Sequence, residues 1–143
     1  MVESPKRARI AVTTTMLLLM AFLILQALGY GIGFFIDPTS GLGEFTSPPP
    51  AGSDDLTAAL VGLVGVGMIG AAVLLALSAV LVLRGHPVGS SIAMVVGGIY
   101  LLAGVSVMRA GWTWDASFYL GGGGSLLLLS AVTGWLHRVQ VEV

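Results

Sequence analysis

The chain has 143 residues, of which 56% are hydrophobic and only 9% are charged, and its mean hydropathy is +0.99. These values lie outside the range of soluble globular domains and predict an integral membrane protein. The chain contains no cysteine, which excludes disulfides, thiol catalysis and cysteine-ligated metals.

Four segments are long and uncharged enough to cross a bilayer, whose hydrocarbon core is about 30 Å thick and needs about 20 helical residues. Runs such as MLLLMAFLIL and AAVLLALSAVLVL are apolar on every side, whereas a strand of a membrane barrel alternates in polarity. We therefore predict an all-α fold, an integral membrane four-helix bundle that forms a single transmembrane domain over residues 1–143. The predicted helices are residues 10–36, 56–83, 88–108 and 116–136.

The first predicted helix follows a basic segment and ends in the stretch GYGIGFFIDP. A basic segment before an apolar run also begins a signal peptide, but this run is too long and lacks a clear cleavage site, so we expect a retained helix. At its three alternate glycines the helix either ends or continues as a kinked or re-entrant piece. The outer loop, residues 37–55, is rich in proline, glycine and serine and is expected to be irregular.

Small residues are dense in the three later helices. Lipid tails are as apolar as leucine, so helices associate in a membrane by close packing, which small side chains permit. We expect this packing mainly inside the bundle, with surfaces for other subunits as the alternative. The glycines singled out for helix packing are Gly62, Gly70, Gly97, Gly104, Gly122 and Gly123.

The stretch WDASFYLGGGG raises the question of whether its four glycines form a loop, a phosphate-binding turn or part of a helix. A phosphate-binding turn needs a preceding strand and commonly a following lysine, and neither is predicted here. A loop in hydrocarbon would leave backbone groups unpaired, each at a cost of several kcal/mol. We therefore predict that the glycines are helical and that a neighbouring helix packs on them.

The charged residues separate by side. One side holds Lys6, Arg7, Arg9, Arg84 and Arg138, whereas the other holds Asp37, Glu44, Asp54, Asp55, Asp115 and a single basic residue, Arg109. Because basic loops stay in the cytoplasm, we predict a multi-pass protein of the cell membrane with both termini cytoplasmic. The use of arginine over lysine and the lack of asparagine are typical of a prokaryotic source.

No motif for catalysis, a cofactor or a metal is evident, and we predict a non-enzymatic protein without them. His86 and His137 fall at the cytoplasmic helix ends and are interpreted as interfacial residues, not as haem or metal ligands. The only basic cluster, KRAR, is expected to contact anionic lipid, and nucleic-acid binding is not expected. Since no charged residue lies near the middle of a predicted helix, pumps and proton-coupled transporters are disfavoured.

Polar residues at the outer ends of the helices are the candidates for a ligand site. Gln26 is the one large polar residue inside a predicted helix, and buried polar groups are the best functional indicators in a membrane protein. The alternative is an interfacial pair of Arg109 and Asp115 inside an aromatic belt. The candidate ligand-binding residues, called here the outer cluster, are Gln26, Asp37, Arg109, Trp112, Asp115 and Tyr119.

A family resemblance is visible in four features of the sequence. They are the fragments GFFIDP and GGIYLLAG, the long outer loop, and the tight basic turn before the last helix pair. In this layout the chain resembles the small DoxX-like and DUF4345-like four-helix membrane proteins. The resemblance implies an accessory role, in some members linked to redox or quinone-associated membrane systems. It carries no catalytic residue over to this chain.

Three functions stay open from the sequence. The first is an accessory or scaffold component that packs in the lipid bilayer against a larger membrane protein complex or as a homo-oligomer. The second is a binder or carrier of a hydrophobic small molecule, such as a quinone or lipid, at the outer cluster. The third is an oligomeric channel or exporter.

Overall fold

A computed structural model describes residues 5–38, 55–109 and 113–141, and for residues 5, 55–61, 113–115 and 141 it describes the backbone only. The described helices are α1 (Pro5–Ile36), α2 (Asp55–Leu83), α3 (Val88–Arg109) and α4 (Thr113–Val141). The predicted all-α class is confirmed for these residues. Each of the four helices contains a segment long and apolar enough to cross a membrane, and these segments are Lys6–Ile36, Gly62–Leu83, Val88–Arg109 and Ala116–Gln140.

The helix α1 is continuous through the glycines of GYGIG and ends at Ile36. It begins at a proline, whose missing N–H costs nothing in the first helical turn. At its end the Asp37 N–H donates to the Gly33 carbonyl at 2.9 Å, and Pro38 follows. Proline cannot continue a helix, so the Asp-Pro pair stops α1 where the sequence predicted that it would.

The turn between α2 and α3 is closed by Gly85, which has a φ of 72°. The Gly85 N–H donates to the Val82 carbonyl at 3.0 Å, and the His86 N–H donates to the Leu81 carbonyl at 2.8 Å. This pair of bonds is the Schellman arrangement, which needs a left-handed residue and therefore favours glycine. The turn is thus tight, and α3 begins at Val88.

The chain divides into two compact units, of which the first comprises Met1–Phe22 with Leu74–Val143 and the second Leu23–Val73. The first unit contains the beginning of α1, the end of α2, and both α3 and α4. The second unit contains the rest of α1 and of α2. The predicted single four-helix domain and the orientation of its termini stay predictions.

In the first unit, α3 and α4 pack with their backbones in contact. A Cβ atom built on Gly97 would lie 3.0 Å from the Gly123 carbonyl oxygen, and one on Gly123 would lie 2.7 Å from the Cβ of Tyr100. Farther along, a Cβ on Gly104 would lie 2.8 Å from Leu120. The order of these contacts along the chain shows that the two helices are antiparallel. A residue larger than glycine fits at none of these three positions unless the neighbouring atoms shift.

The same unit holds α1 against α4 through a buried methionine. Met16 is fully buried, and its sulfur lies 3.6 Å from the Ser130 hydroxyl and 3.7 Å from the Thr133 hydroxyl. At the other end of this unit's segment of α1, the rings of Phe22 and Phe118 are 5.8 Å apart. These contacts place residues 16–22 of α1 antiparallel along residues 118–130 of α4.

The end of α2 meets the start of α3 at a similarly close contact. A Cβ on Gly89 would lie 2.7 Å from the backbone nitrogen of Val82. The buried Ser78 hydroxyl donates to the Gly89 carbonyl at 2.6 Å. The absence of a side chain at Gly89 therefore permits the end of α2 and the start of α3 to pack closely just after the turn.

In the second unit, α1 and α2 cross at a pair of glycines. A Cβ on Gly65 would lie 2.7 Å from the Gly31 carbonyl oxygen, and one on Gly31 would lie 2.9 Å from the Gly65 carbonyl oxygen. Next to this crossing is a small apolar core made of Ala27, Phe34, Met68 and Ala72, with Ile24 and Leu28 packed on it. Neither glycine of the crossing was among those singled out from the sequence.

The other glycines singled out for packing differ from Gly97, Gly104 and Gly123. Gly62 lies at ordinary contact distance, since a Cβ there would be 3.7 Å from Pro38. Gly70 is exposed, and a Cβ there would meet no described atom within 4 Å. Gly122 is half-buried. The run of four glycines is helical as predicted, since it lies within α4.

Candidate functional site

The residues of the predicted outer cluster are divided between the two units. Gln26 and Asp37 belong to the second unit, and Arg109 and Tyr119 belong to the first. Asp37 and Arg109 are exposed, and Tyr119 is half-buried. Trp112 and the side chain of Asp115 lie outside the described residues, so the outer cluster stays a prediction.

Two buried polar atoms have no hydrogen-bond partner within the described part of the chain, the Gln26 Oε1 and the Tyr100 hydroxyl. Leaving such a group unsatisfied costs about 1–3 kcal/mol. The Tyr100 ring lies 5.7 Å from the ring of Tyr119, which lies 5.9 Å from the ring of Phe118. The buried Tyr100 hydroxyl therefore lies on a ring that packs beside two further aromatic rings and has no described partner of its own.

A polar cleft lies at the other end of α3 and α4, entirely within the first unit. It has a volume of about 50 Å³ and is partly open to the surface. The start of α1, the turn between α2 and α3, the first turn of α3 and the last turns of α4 contribute to it. The polar side chains in its wall, which we call the basic cleft, are Arg9, Thr13, His86, Ser90, Thr133 and His137.

Two of the three hydroxyl groups in the basic cleft, those of Ser90 and Thr133, are already engaged. The Ser90 hydroxyl donates to the Pro87 carbonyl at 2.9 Å, and the Thr133 hydroxyl donates to the Leu129 carbonyl at 2.8 Å. A hydroxyl has a single proton, so these two groups present lone pairs to the cleft and shape its wall. They are not its main donors.

The donors of the basic cleft come from its guanidinium and imidazole groups. Arg9 donates from Nη1 to the Gln140 side-chain oxygen, which uses one of its five N–H groups. The Nδ1 of His86 accepts a long hydrogen bond from the Val88 N–H at 3.4 Å, which leaves Nε2 as the ring nitrogen that can donate to a ligand. Arg9 and His137 are half-buried, and His86 is exposed.

The electrostatics of the cleft favour an anion. No carboxylate lies in its wall among the described residues. The N-terminus of α3, where the helix dipole is positive, borders the cleft, because Ser90 in the first turn of α3 lines the wall. Within the described part of the chain, no group of three or more His, Cys, Asp or Glu side chains is placed to hold a metal ion.

The sequence predicts His86 and His137 at the same end of the helices, but it does not predict that they meet Arg9. The three residues are far apart in the chain, and no spacing motif connects them. The available signal was the charge map, which put the N-terminus, the tight turn and the C-terminus on the same side. It indicated a basic end, whereas the cleft depends on the contacts of α1 with α4.

A stripe of small residues lies exposed on α4, and we call it the α4 stripe. Ser117, Gly121 and Ser125 follow one another at intervals of four residues, so they share one side of the helix. All three are exposed, and a Cβ on Gly121 would meet no described atom within 4 Å. The buried Gly123 lies on a different side, against α3.

A shorter pair of the same kind occurs on α1 in the second unit. Gly29 and Gly33 are exposed, and a Cβ on either would meet no described atom within 4 Å. The pair has the spacing of the G-x-x-x-G pattern, which lets membrane helices approach each other closely.

No known protein family, curated protein or solved structure matches the chain. The resemblance to DoxX-like proteins rests on sequence fragments and layout, and it stays a prediction.

Proposed function

We propose that this chain is a non-enzymatic accessory component of the cell membrane, with both termini in the cytoplasm, that docks a transmembrane helix on its α4 stripe. The docked helix belongs to a membrane partner or to a second copy of the chain. The observation that carries the proposal is the exposed, open position of Gly121 between two exposed serines.

Gly121 and Gly123 lie on two different sides of α4 and differ in what offsets their energetic cost. Glycine in a helix costs about 1 kcal/mol relative to alanine. At Gly123 this cost is offset, because α3 packs directly on the backbone there. At Gly121 nothing in the described part of the chain offsets it. A second helix on the α4 stripe would supply the missing contact.

Exposed leucines do not argue for a partner in the same way. Leu128 is 64% exposed, but a leucine in contact with lipid tails is as stable there as against another helix. Small residues are different, because they add little lipid contact and permit close backbone approach. The proposal therefore rests on Gly121 and its flanking serines.

The experiment compares Gly121→Leu with Gly67→Leu, since both glycines are exposed and open. Self-association is measured by energy transfer between labelled copies in lipid vesicles, and hetero-association by purification from native membranes in mild detergent. Gly121→Leu should abolish whichever association the unmodified chain shows, because a leucine blocks close approach. Gly67→Leu should leave it intact. Equal association of the two variants would contradict the proposal.

A second candidate function, binding of a hydrophobic small molecule such as a quinone or lipid, is favoured by the unpartnered Tyr100 hydroxyl in the first unit. A protein that is monomeric in detergent and retains an extractable lipid-soluble molecule would support it. Tyr100→Phe, which removes only the hydroxyl, should then lower the retained amount. Arg109→Ala tests the outer cluster, and unchanged retention in that variant would exclude Arg109 from the site.

A further inference from the structure

We propose that the basic cleft binds a phosphate group, presented either by an anionic lipid headgroup or by free inorganic phosphate. Arg9, His86 and His137 converge on the cleft from α1, the tight turn and α4. The proposal does not depend on the α4 stripe, so the two can fail separately.

The donor set suits a phosphate oxygen. Arg9 keeps four N–H groups after its bond to Gln140, and guanidinium forks match the geometry of phosphate. The bond to Gln140 also fixes the position of the guanidinium, so less side-chain freedom is lost when an anion binds. An imidazole N–H donates to phosphate in the neutral form as well as in the charged form, so the histidines need not be charged.

The size of the cleft limits what enters it. A volume of about 50 Å³ holds a few water molecules or a group of similar size. Sites for whole drug-sized ligands occupy about 300–1,000 Å³. A quinone ring system or an acyl chain therefore does not fit, whereas a phosphate with its remaining substituents outside the opening does.

A divalent cation is the competing occupant, since two imidazoles are present. The guanidinium of Arg9 shares the same small cleft and repels a cation. The described wall offers no carboxylate to compensate for that repulsion. An anion gains from all three basic side chains at once.

The test measures ligand binding to the intact, detergent-purified chain. Lipid binding is followed by native mass spectrometry with dioleoyl phosphatidylglycerol and, for comparison, dioleoyl phosphatidylcholine. Binding of inorganic phosphate is followed by the shift in thermal unfolding temperature. The variants are Arg9→Gln, His137→Gln and the matched control Arg7→Gln, which removes the same charge from an exposed position on the same helix.

Arg9→Gln should weaken binding about tenfold, as expected for the loss of one charge-assisted hydrogen bond. His137→Gln should weaken it in the same direction. Arg7→Gln should change the binding of inorganic phosphate by less than about twofold because an exposed charge is screened, and it should lower phosphatidylglycerol binding less than Arg9→Gln does. Gln140→Ala keeps the Arg9 guanidinium but removes its hydrogen-bond partner. This variant separates loss of the contact with the ligand from loss of the Arg9–Gln140 bond, and it should retain most of the binding.

The two sources of phosphate give different results. Retention of phosphatidylglycerol that excess inorganic phosphate does not displace indicates a lipid headgroup. A phosphate-dependent rise in unfolding temperature that is lost in Arg9→Gln, without preference for phosphatidylglycerol, indicates the free ion. Equal loss in Arg7→Gln and Arg9→Gln, or no binding of either ligand by the unmodified chain, would overturn the proposal.

Discussion

Single glycines in α4 have opposite structural roles although they are neighbours in the chain. Gly123 is buried against Tyr100 and Gly97, whereas Gly121 is exposed and open. The sequence predicted a close-contact face somewhere in the run of four glycines. It did not show which glycine faces inward, because that depends on how α3 and α4 are rotated against each other.

The same substitution at these two positions should therefore have effects of opposite sign on stability. Gly123→Ala places a Cβ 2.7 Å from that of Tyr100 and should destabilise the chain by about 1–3 kcal/mol, as overpacking does. Gly121→Ala meets no described atom and should stabilise it by about 0.5–1 kcal/mol through helix propensity. Thermal unfolding in detergent measures both, and equal unfolding temperatures would contradict the packing of α3 on α4.

At the level of whole helices, the sequence predicted some ends well and others less well. The stops at Ile36 and Leu83 and the start at Val88 coincide with the predicted ends, because Asp-Pro and Gly-His-Pro break a helix locally. The helices α1 and α4 begin or end beyond the predicted positions, at Pro5 and Val141. A prediction based on membrane thickness ends near the first charges, whereas a helix can continue past them.

The crossing of α1 and α2 in the second unit was not predictable in this detail. The sequence contains Gly29, Gly31 and Gly33 in one stretch, and only Gly31 contacts α2. The spacing of these three alternate glycines does not indicate which one is buried and which two are exposed. The choice follows from the position of Gly65 on the partner helix.

We predict that Gly31→Val separates the two helices of the second unit, whereas Gly33→Val leaves them together. A Cβ at position 31 would lie 2.9 Å from the Gly65 carbonyl oxygen and 3.0 Å from Ile69, so a branched side chain does not fit. Hydrogen–deuterium exchange should increase along the α1 segment of this unit in Gly31→Val only. Equal exchange in the two variants would show that the crossing does not hold these helices.

For the whole molecule, the sequence predicted that the basic residues lie at one end of the helices, but it did not predict the cleft at that end. The charge map brings the N-terminus, the tight turn and the C-terminus to one side, and the first unit does join Arg9, His86 and His137 at one cleft. Side-chain convergence of that kind depends on α1 lying beside α4. A charge map contains no information about which helices are neighbours.

The orientation of this basic end in the membrane can be tested directly because the chain has no cysteine. We predict that a cysteine at Ser47, in the predicted outer loop, reacts with a membrane-impermeant maleimide added to intact cells. A cysteine at Ser4, before the basic segment, should react only after the membrane is permeabilised. Both changes leave the charges untouched, so the positive-inside determinant is preserved. Labelling of Ser4→Cys and not Ser47→Cys in intact cells would reverse the proposed orientation and would turn the basic cleft outward.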